Sequence, residues 1–218
     1  MDRQRTIMIV GNGPLAANAA DAIDAADLVV RFNECGSAEQ GGQRTDIVAV
    51  CNTGRPAKGM LGSPAWRGMA AVRAAAEIWS VRDPCKFAAL RDTLASSHPE
   101  LEDFCDDYTE AFATFAADAG KAHVVIDQTI HAAADAALEA IGAEAYVVPS
   151  SGMIVVTEML TRYPQDDIVL AGFSHVGWSG HPFAAERRLM EAHVSAGRLR
   201  RLENIADQQQ APYISREG

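Results

Sequence analysis

The chain is short of basic residues, has no C-x-x-C pair and carries no long apolar run, and each deficit removes a class of function. Lysine and arginine number 19 against 29 aspartates and glutamates, a formal net charge of -10. Displacing counterions from a phosphate backbone needs a basic face. The largest basic grouping is Arg198, Arg200 and Arg201, so nucleic acid is not expected as a partner. Cys35, Cys51, Cys85 and Cys105 lack the spacing of zinc or redox motifs and read as ordinary reduced thiols. The opening MDRQRTIMIVGNG offers four apolar residues before its glycine turn, too few for a signal-peptide core or a membrane span. A cytoplasmic protein with no membrane partner is expected. No internal repeat is visible. No carboxylate pair or D-x-D stands where it would hold the metal of a nucleoside-diphosphate sugar, so no metal is expected.

What is present is ample apolar residue, 48% of 218, enough for a sizeable core and consistent with a single domain over 1–218. Short β-branched runs alternate with Ala-rich helical stretches. The runs are Ile7 to Val10, Leu28 to Phe32, Ile47 to Val50, Glu77 to Val81, Val124 to Asp127, Ala145 to Val148 and Ile168 to Ala171. Such alternation predicts an α/β, Rossmann-like fold: a mostly parallel central sheet with helices on both faces. Helices are predicted over Leu15 to Ala26, Gln128 to Ile141, Gly152 to Arg162 and Ala184 to Ala196. Residues 52–68, rich in Gly and Pro, read as a long loop suited to a ligand flap. Residues 83–120 read as two helices joined at Ser97-His98-Pro99, a helical insertion beside the site, and 207–218 as a polar tail.

In an open parallel sheet, ligands collect at the carboxyl ends of the strands. Gly11 to Ala16 matches G-x-G-x-x-G/A, a tight strand-to-helix turn whose free N–H groups would face an anion. Asn12 and Asn33 follow the first and second strands. Neutral amides there can meet a phosphate, base or sugar without the cost of a buried charge. Pro149-Ser150-Ser151-Gly152 follows the run ending at Val148; the serines suit a helix cap and Gly152 a close backbone approach. Past Ala171 comes GFSHVGWSGHPFAAE. His181 precedes a Pro-initiated helix, whose positive end favours the neutral imidazole that a general base requires. Glu186, in that helix's first turn, is placed to orient it, and His175 to face the same pocket. The candidate catalytic residues are thus His181, Glu186 and His175, and the candidate nucleotide-binding residues Gly11, Asn12, Gly13, Asn33, Ser150, Ser151 and Gly152. His123, Asp127 and His131 do not share a helical face and are not read as a metal site.

Read in order, VGNGP…ID.ADLVVRFN, PSSGM…DDIVLAGF and H-P-F-A-A-E resemble the large, small and very small sialyl motifs of the sialyltransferases, glycosyltransferase family 29. Gly11, Asn12, Ile23, Asp24, Asp27, Val29, Arg31 and Asn33 stand at positions of the large motif. Pro149 to Gly152, Asp166, Asp167, Gly172 and Phe173 match the small motif, and His181 and Glu186 the H-x4-E of the very small one. The resemblance implies a variant GT-A fold that binds a CMP-activated sugar without a divalent metal. It implies that Asn12 and Asn33 hold the nucleotide, that the PSSG turn contacts ribose and base, and that His181 deprotonates the acceptor hydroxyl. CMP would depart over donors at Asn12, the helix N-termini and His175. Ile7 and Gln165 stand where the family has its disulfide cysteines, so that bond cannot form here. The family's H-Y-Y-E block is replaced by SHVGWSG, and its membrane anchor and stem have no counterpart. The chain is also similar to short bacterial proteins found among urease-operon accessory genes, some of which share the MIVGNGP…RFN…CNTGRPA opening.

The expected ligand is therefore a nucleotide or nucleotide-sugar, with no cofactor. Two alternatives stand beside it. One is a non-catalytic accessory protein that binds a nucleotide or a protein partner. The other is an NADP-dependent oxidoreductase in which Arg31, ending the second strand, meets the 2′-phosphate.

Overall fold

The computed structural model describes residues 3–202; the tail expected at 207–218 lies outside the described residues. The chain order is β1 (Thr6–Val10), α1 (Ala19–Asp24), β2 (Leu28–Phe32), β3 (Ile47–Val50), α2 (Gly54–Gly62), α3 (Pro64–Gly68), α4 (Ala70–Ala74) and β4 (Glu77–Ser80). It continues with α5 (Pro84–Ser97), a 3-10 turn (Pro99–Leu101), α6 (Thr109–Asp118), β5 (Ala122–Val125), α7 (Gln128–Ala140), α8 (Ser151–Arg162), β6 (Asp167–Ala171), α9 (Phe183–Ser195) and β7 (Arg200–Arg201). The strands form one sheet in the order β5-β4-β3-β2-β1-β6-β7, every neighbouring pair parallel.

The inner strands β1, β2, β3 and β6 are apolar at nearly every position because both faces are covered, whereas the edge strands β5 and β7 are partly exposed. Ile7, Ile9, Val30, Ile47, Trp79 and Leu170 pack under α7, α8 and α9. Their alternates turn the other way: Val48, Val50 and Ile78 under α2, α3, α4 and α6, and Met8, Val10, Val29 and Val169 under α1. Helix starts follow local capping chemistry. Asp83 accepts from the Lys86 N–H before Pro84, Asp127 from the Thr129 N–H, and Ser150 from the Met153 N–H.

Four sequence expectations are corrected. The helix expected from Leu15 begins only at Ala19, after a turn at 17–18 in which Asn18, at φ -109° and ψ 14°, stands at the N-cap. Residues 52–68 are not a long loop but the helices α2 and α3. Their prolines lie in first turns, where a missing N–H costs nothing, and Ser63 caps the second. Ala145 to Val148 is not a strand; the Val147 N–H donates to the Gly180 carbonyl at 2.9 Å instead of joining a ladder. Arg200–Arg201, read only as charge, forms a short edge strand beside β6. Helices α5 and α6 occupy the stretch 83–120, with α6 starting at Thr109.

The sheet order reverses at β1. The chain runs outward from β1 through β2 to β5, then returns to β1's other side as β6. The carboxyl ends of β1 and β6 flank that reversal, the place where an open α/β sheet leaves a crevice.

Candidate functional site

A cavity of about 340 Å³ opens at that crevice. Every residue proposed for the site borders it: Gly11, Asn12 and Gly13 from the turn after β1, Asn33 after β2, Ser150 to Gly152 at the start of α8, His175 after β6, and His181 and Glu186 around the start of α9. Phe32 and Phe173 add an edge-to-face aromatic pair, centroids 6.1 Å apart.

Two of the N–H groups expected of the glycine turn are taken within the protein. Gly11 N–H donates to the Ala171 carbonyl at 2.8 Å and Gly13 N–H to the Gly172 carbonyl at 2.9 Å. The glycines serve a close backbone approach: a Cβ on Gly11 would lie 2.4 Å from the Gly172 oxygen, and Gly172 itself has φ +66°. With α1 only Ala19–Asp24, no helix start lies at the turn.

The two amides also have structural work. Asn12 Nδ2 donates to the Phe32 carbonyl at 3.2 Å, and its Oδ1 accepts from Gly36 N–H at 3.0 Å, clasping the ends of β1 and β2 together. Asn33 sits at φ 51°, a conformation Asn tolerates better than most residues, and its Oδ1 accepts from Cys51 N–H at 2.8 Å. Its Nδ2 has no acceptor among the described residues.

At α8, Ser150 fills the N-cap, and its hydroxyl accepts from Met153 N–H at 3.1 Å. No described acceptor takes the Ser151 and Gly152 N–H groups of the first turn, which border the cavity. A Cβ on Gly152 would meet the Phe173 ring at 2.9 Å, so this glycine answers to packing as well as to any ligand. Glu186 does not orient His181. Its carboxylate, 1% exposed, accepts from the Ser150 N–H and hydroxyl, both at 2.6 Å. Burial pushes the Glu186 carboxyl above its usual range, against the opposing pull of those two hydrogen bonds.

His181 Nδ1 lies 2.8 Å from the Val148 carbonyl. An imidazole nitrogen facing a carbonyl must donate, which leaves Nε2 as the acceptor of the neutral ring. Burial pushes the His181 pKa down from 6.5 to about 4, with the Val148 carbonyl opposing and Arg82 assisting. The expected neutral imidazole is present, but burial rather than the neighbouring helix is the leading cause. His175, at φ 51°, accepts from the Arg201 guanidinium at 3.1 Å, and burial with Arg201 and Arg187 takes it to about 4 as well.

Arg31 cannot reach a 2′-phosphate. It is fully buried and donates to the carbonyls of Gly41, Gly42 and Arg44 and to the Thr45 hydroxyl. His123 bonds Ser80, His131 bonds the Val81 carbonyl, and Asp127 caps α7, so the three are scattered. Among the described residues no three His, Cys, Asp or Glu side chains group to hold a metal ion, and no helix is long and apolar enough to cross a membrane. Sequence reading passed over Arg82, 3% exposed, which donates to the Pro149 carbonyl at 2.9 Å beneath the PSSG turn. The same strand-end rule, applied to β4, would have found it.

No protein-family model matches the chain. Two crystal structures of a mammalian sialyltransferase share its fold, each matched over 92% of this chain and 70% of that one. The TM-scores are 0.53 and 0.52 at 15% and 17% identity, the second structure being in complex with Gal-beta-1-3GalNAc-ortho-nitrophenol. At that identity the likeness establishes the fold: a parallel α/β sheet with helices around it, GT-A-like as in the sialyltransferase. In sequence, the chain is 52% identical over 208 residues to the urease operon 23 kDa accessory protein of Rhizobium meliloti (strain 1021), covering 94% of this chain and 96% of that protein. Identity of that extent over nearly the whole of both chains places this protein in the family of the urease operon 23 kDa accessory protein.

Proposed function

We propose that this protein binds a cytidine monophosphate nucleotide and transfers the sugar of a CMP-activated donor to an acceptor hydroxyl, with His181 as general base. One observation carries the reading: a half-buried imidazole, its Nδ1 held by a carbonyl, shares one cavity with the first turn of a twelve-residue helix whose N–H groups have no acceptor among the described residues. Those N–H groups, at Ser151 and Gly152, suit the single phosphate of CMP. Asn33 Nδ2 suits a further phosphate or ribose oxygen. The glycine turn supplies the wall of the cavity, not the anion's donors.

In the step itself, His181 Nε2 takes the proton of the acceptor hydroxyl as that oxygen bonds to the anomeric carbon from the face opposite the phosphate. The bond from anomeric carbon to phosphate oxygen breaks, and its electron pair leaves with CMP, whose charge the α8 N-terminus stabilises. The configuration inverts. No metal takes part in this scheme. The relative's place in a urease operon supports a second reading, a nucleotide-binding accessory factor without catalysis.

Thermal shift with CMP, CDP, UDP and NADPH, each with and without EDTA, tests the ligand, because binding to the native state alone raises the melting temperature. CMP-selective stabilisation indifferent to EDTA is expected; none, or selectivity for NADPH, overturns the proposal. CMP-sugar hydrolysis that vanishes in His181→Ala supports transfer. CMP binding with no hydrolysis by the wild type leaves the accessory reading.

A further inference from the structure

A second cavity, of about 300 Å³, lies against His181 and is walled by Pro56, Leu101, Phe104 and Trp178, with Arg82 among its lining. We infer that it receives the acceptor, and that the acceptor is a small hydroxylated molecule with a flat apolar body and an anionic head group. The inference rests on the transfer reaction proposed above. His181 borders both cavities, so a single imidazole faces the nucleotide on one side and this slot on the other.

The flat body follows from the walls. Trp178 packs on Phe104 with centroids 5.3 Å apart and stands edge-on to His181 at 4.9 Å, leading an aromatic face up to the base. The volume admits a single ring with its substituents.

The anionic head follows from Arg82. The side chain is almost fully buried, yet among the described residues only its Nη1 has a hydrogen-bond partner, Nε and Nη2 having none, and no carboxylate lies within ion-pair distance. Glu186 senses its charge but is held by Ser150. Arg82 is also fixed in place. Asn52 accepts from its N–H at 2.7 Å and donates to its carbonyl at 2.9 Å, and its guanidinium lies 5.2 Å over the Phe87 ring. The other arginine at this cavity, Arg55, is already paired with Asp103 at 2.8 Å. A buried cation without a counter-ion is costly, and an anion that completes it is bound strongly. A carboxylate and a phosphate share this chemistry.

Isothermal titration calorimetry of the full chain with 4-hydroxybenzoate, phenyl phosphate and 4-hydroxybenzamide tests the inference. One or both anions should bind at least tenfold more tightly than the amide, and whichever is preferred names the head group. Failure of both anions, or an amide that binds equally well, overturns it. Arg82→Gln should lose the anion preference by tenfold or more. Because Arg82 also supports Pro149, Leu101→Trp, which fills the slot, gives an independent arm; undiminished anion binding in that variant overturns the location. CMP titrated into the wild type separates the two proposals. CMP binding without anion binding sinks this inference alone; anion binding without CMP sinks the transferase reading and with it the slot's role as acceptor site, leaving only an anion-binding slot.

Discussion

Lowering the pH from 7 to 5 discriminates sharply between a half-buried histidine with a depressed pKa, as proposed for the base, and an ordinary exposed one. With a pKa of about 4, His181 stays roughly nine-tenths neutral at pH 5, whereas a histidine at the ordinary 6.5 is only about 3% neutral. The base must be neutral, so hydrolysis of a CMP-sugar should change little across that interval. An ordinary histidine would cost more than about tenfold. Burial is the dominant cause, and the Val148 carbonyl, which favours the charged ring, opposes it without cancelling it. The direct assay is NMR of the imidazole Cε1–H, assigned as the signal missing from His181→Asn. A His181 midpoint near 6.5 would show that the ring is hydrated, and the reasoning from burial to a neutral base would fail.

Two further outcomes concern the scaffold. His131 is 1% exposed, and burial, with Arg82 and Lys86, takes its pKa to about 4. Its folded pKa being depressed, stability is lost as the pH falls from about 6.5 towards 4, because the unfolded chain takes up the proton first. His131→Gln should therefore shrink the loss of urea stability between pH 7 and 5 by roughly 2 kcal/mol; an unchanged loss contradicts the assignment. Gly11→Ala drives a Cβ to 2.4 Å from the Gly172 oxygen and should cost about 1–3 kcal/mol. Gly59→Ala, in α2 with nothing within 4 Å, should be neutral or slightly stabilising, so equal melting temperatures for the two variants would refute the close-approach argument.

The sheet was legible because a strand buried on both faces is mostly apolar: β3 is wholly so, β1 and β6 depart only at their first residues, Thr6 and Asp167, and β2 only at the buried Arg31. Helix ends marked by Asp127 or Ser150 were legible for the same local reason, a side chain that satisfies a free N–H. What failed were segments whose fate is set by distant partners. Pro and Gly between 52 and 68 read as loop for a different reason: the local helix signals are there, Ser63 as cap and Pro64 and Pro56 in first turns, but the same residues also read as breakers. The GNG turn read as an anion cradle, since the local pattern cannot show that Ala171 and Gly172, far along the chain, take the N–H groups of Gly11 and Gly13. Proximity of Asn12, Asn33 and the segment after β6 was legible through the strand-end rule, whereas PSSG reached the site although the strand expected before it is absent; the partners of all of them were not legible. Asn12, Asn33 and Glu186 each make hydrogen bonds that only the folded chain specifies.

Those partners change what the PSSG and H-x4-E segments mean. Val147 N–H donates to Gly180, Val148 accepts from His181, Pro149 accepts from Arg82, and Ser150 gives both its N–H and its hydroxyl to Glu186. The backbone polar groups of this short span are thus claimed by residues 180–186 and by Arg82, which is why an apolar, strand-like run stays out of the sheet. His181 and Glu186 grip positions two residues apart, bracketing Pro149. The clasp that fixes the imidazole therefore also fixes the start of α8, where the N–H groups proposed to hold the phosphate emerge. The proposed base and the proposed anion site are therefore joined through Val148 to Ser150, so a displacement of Ser150 should carry to His181 and alter both together.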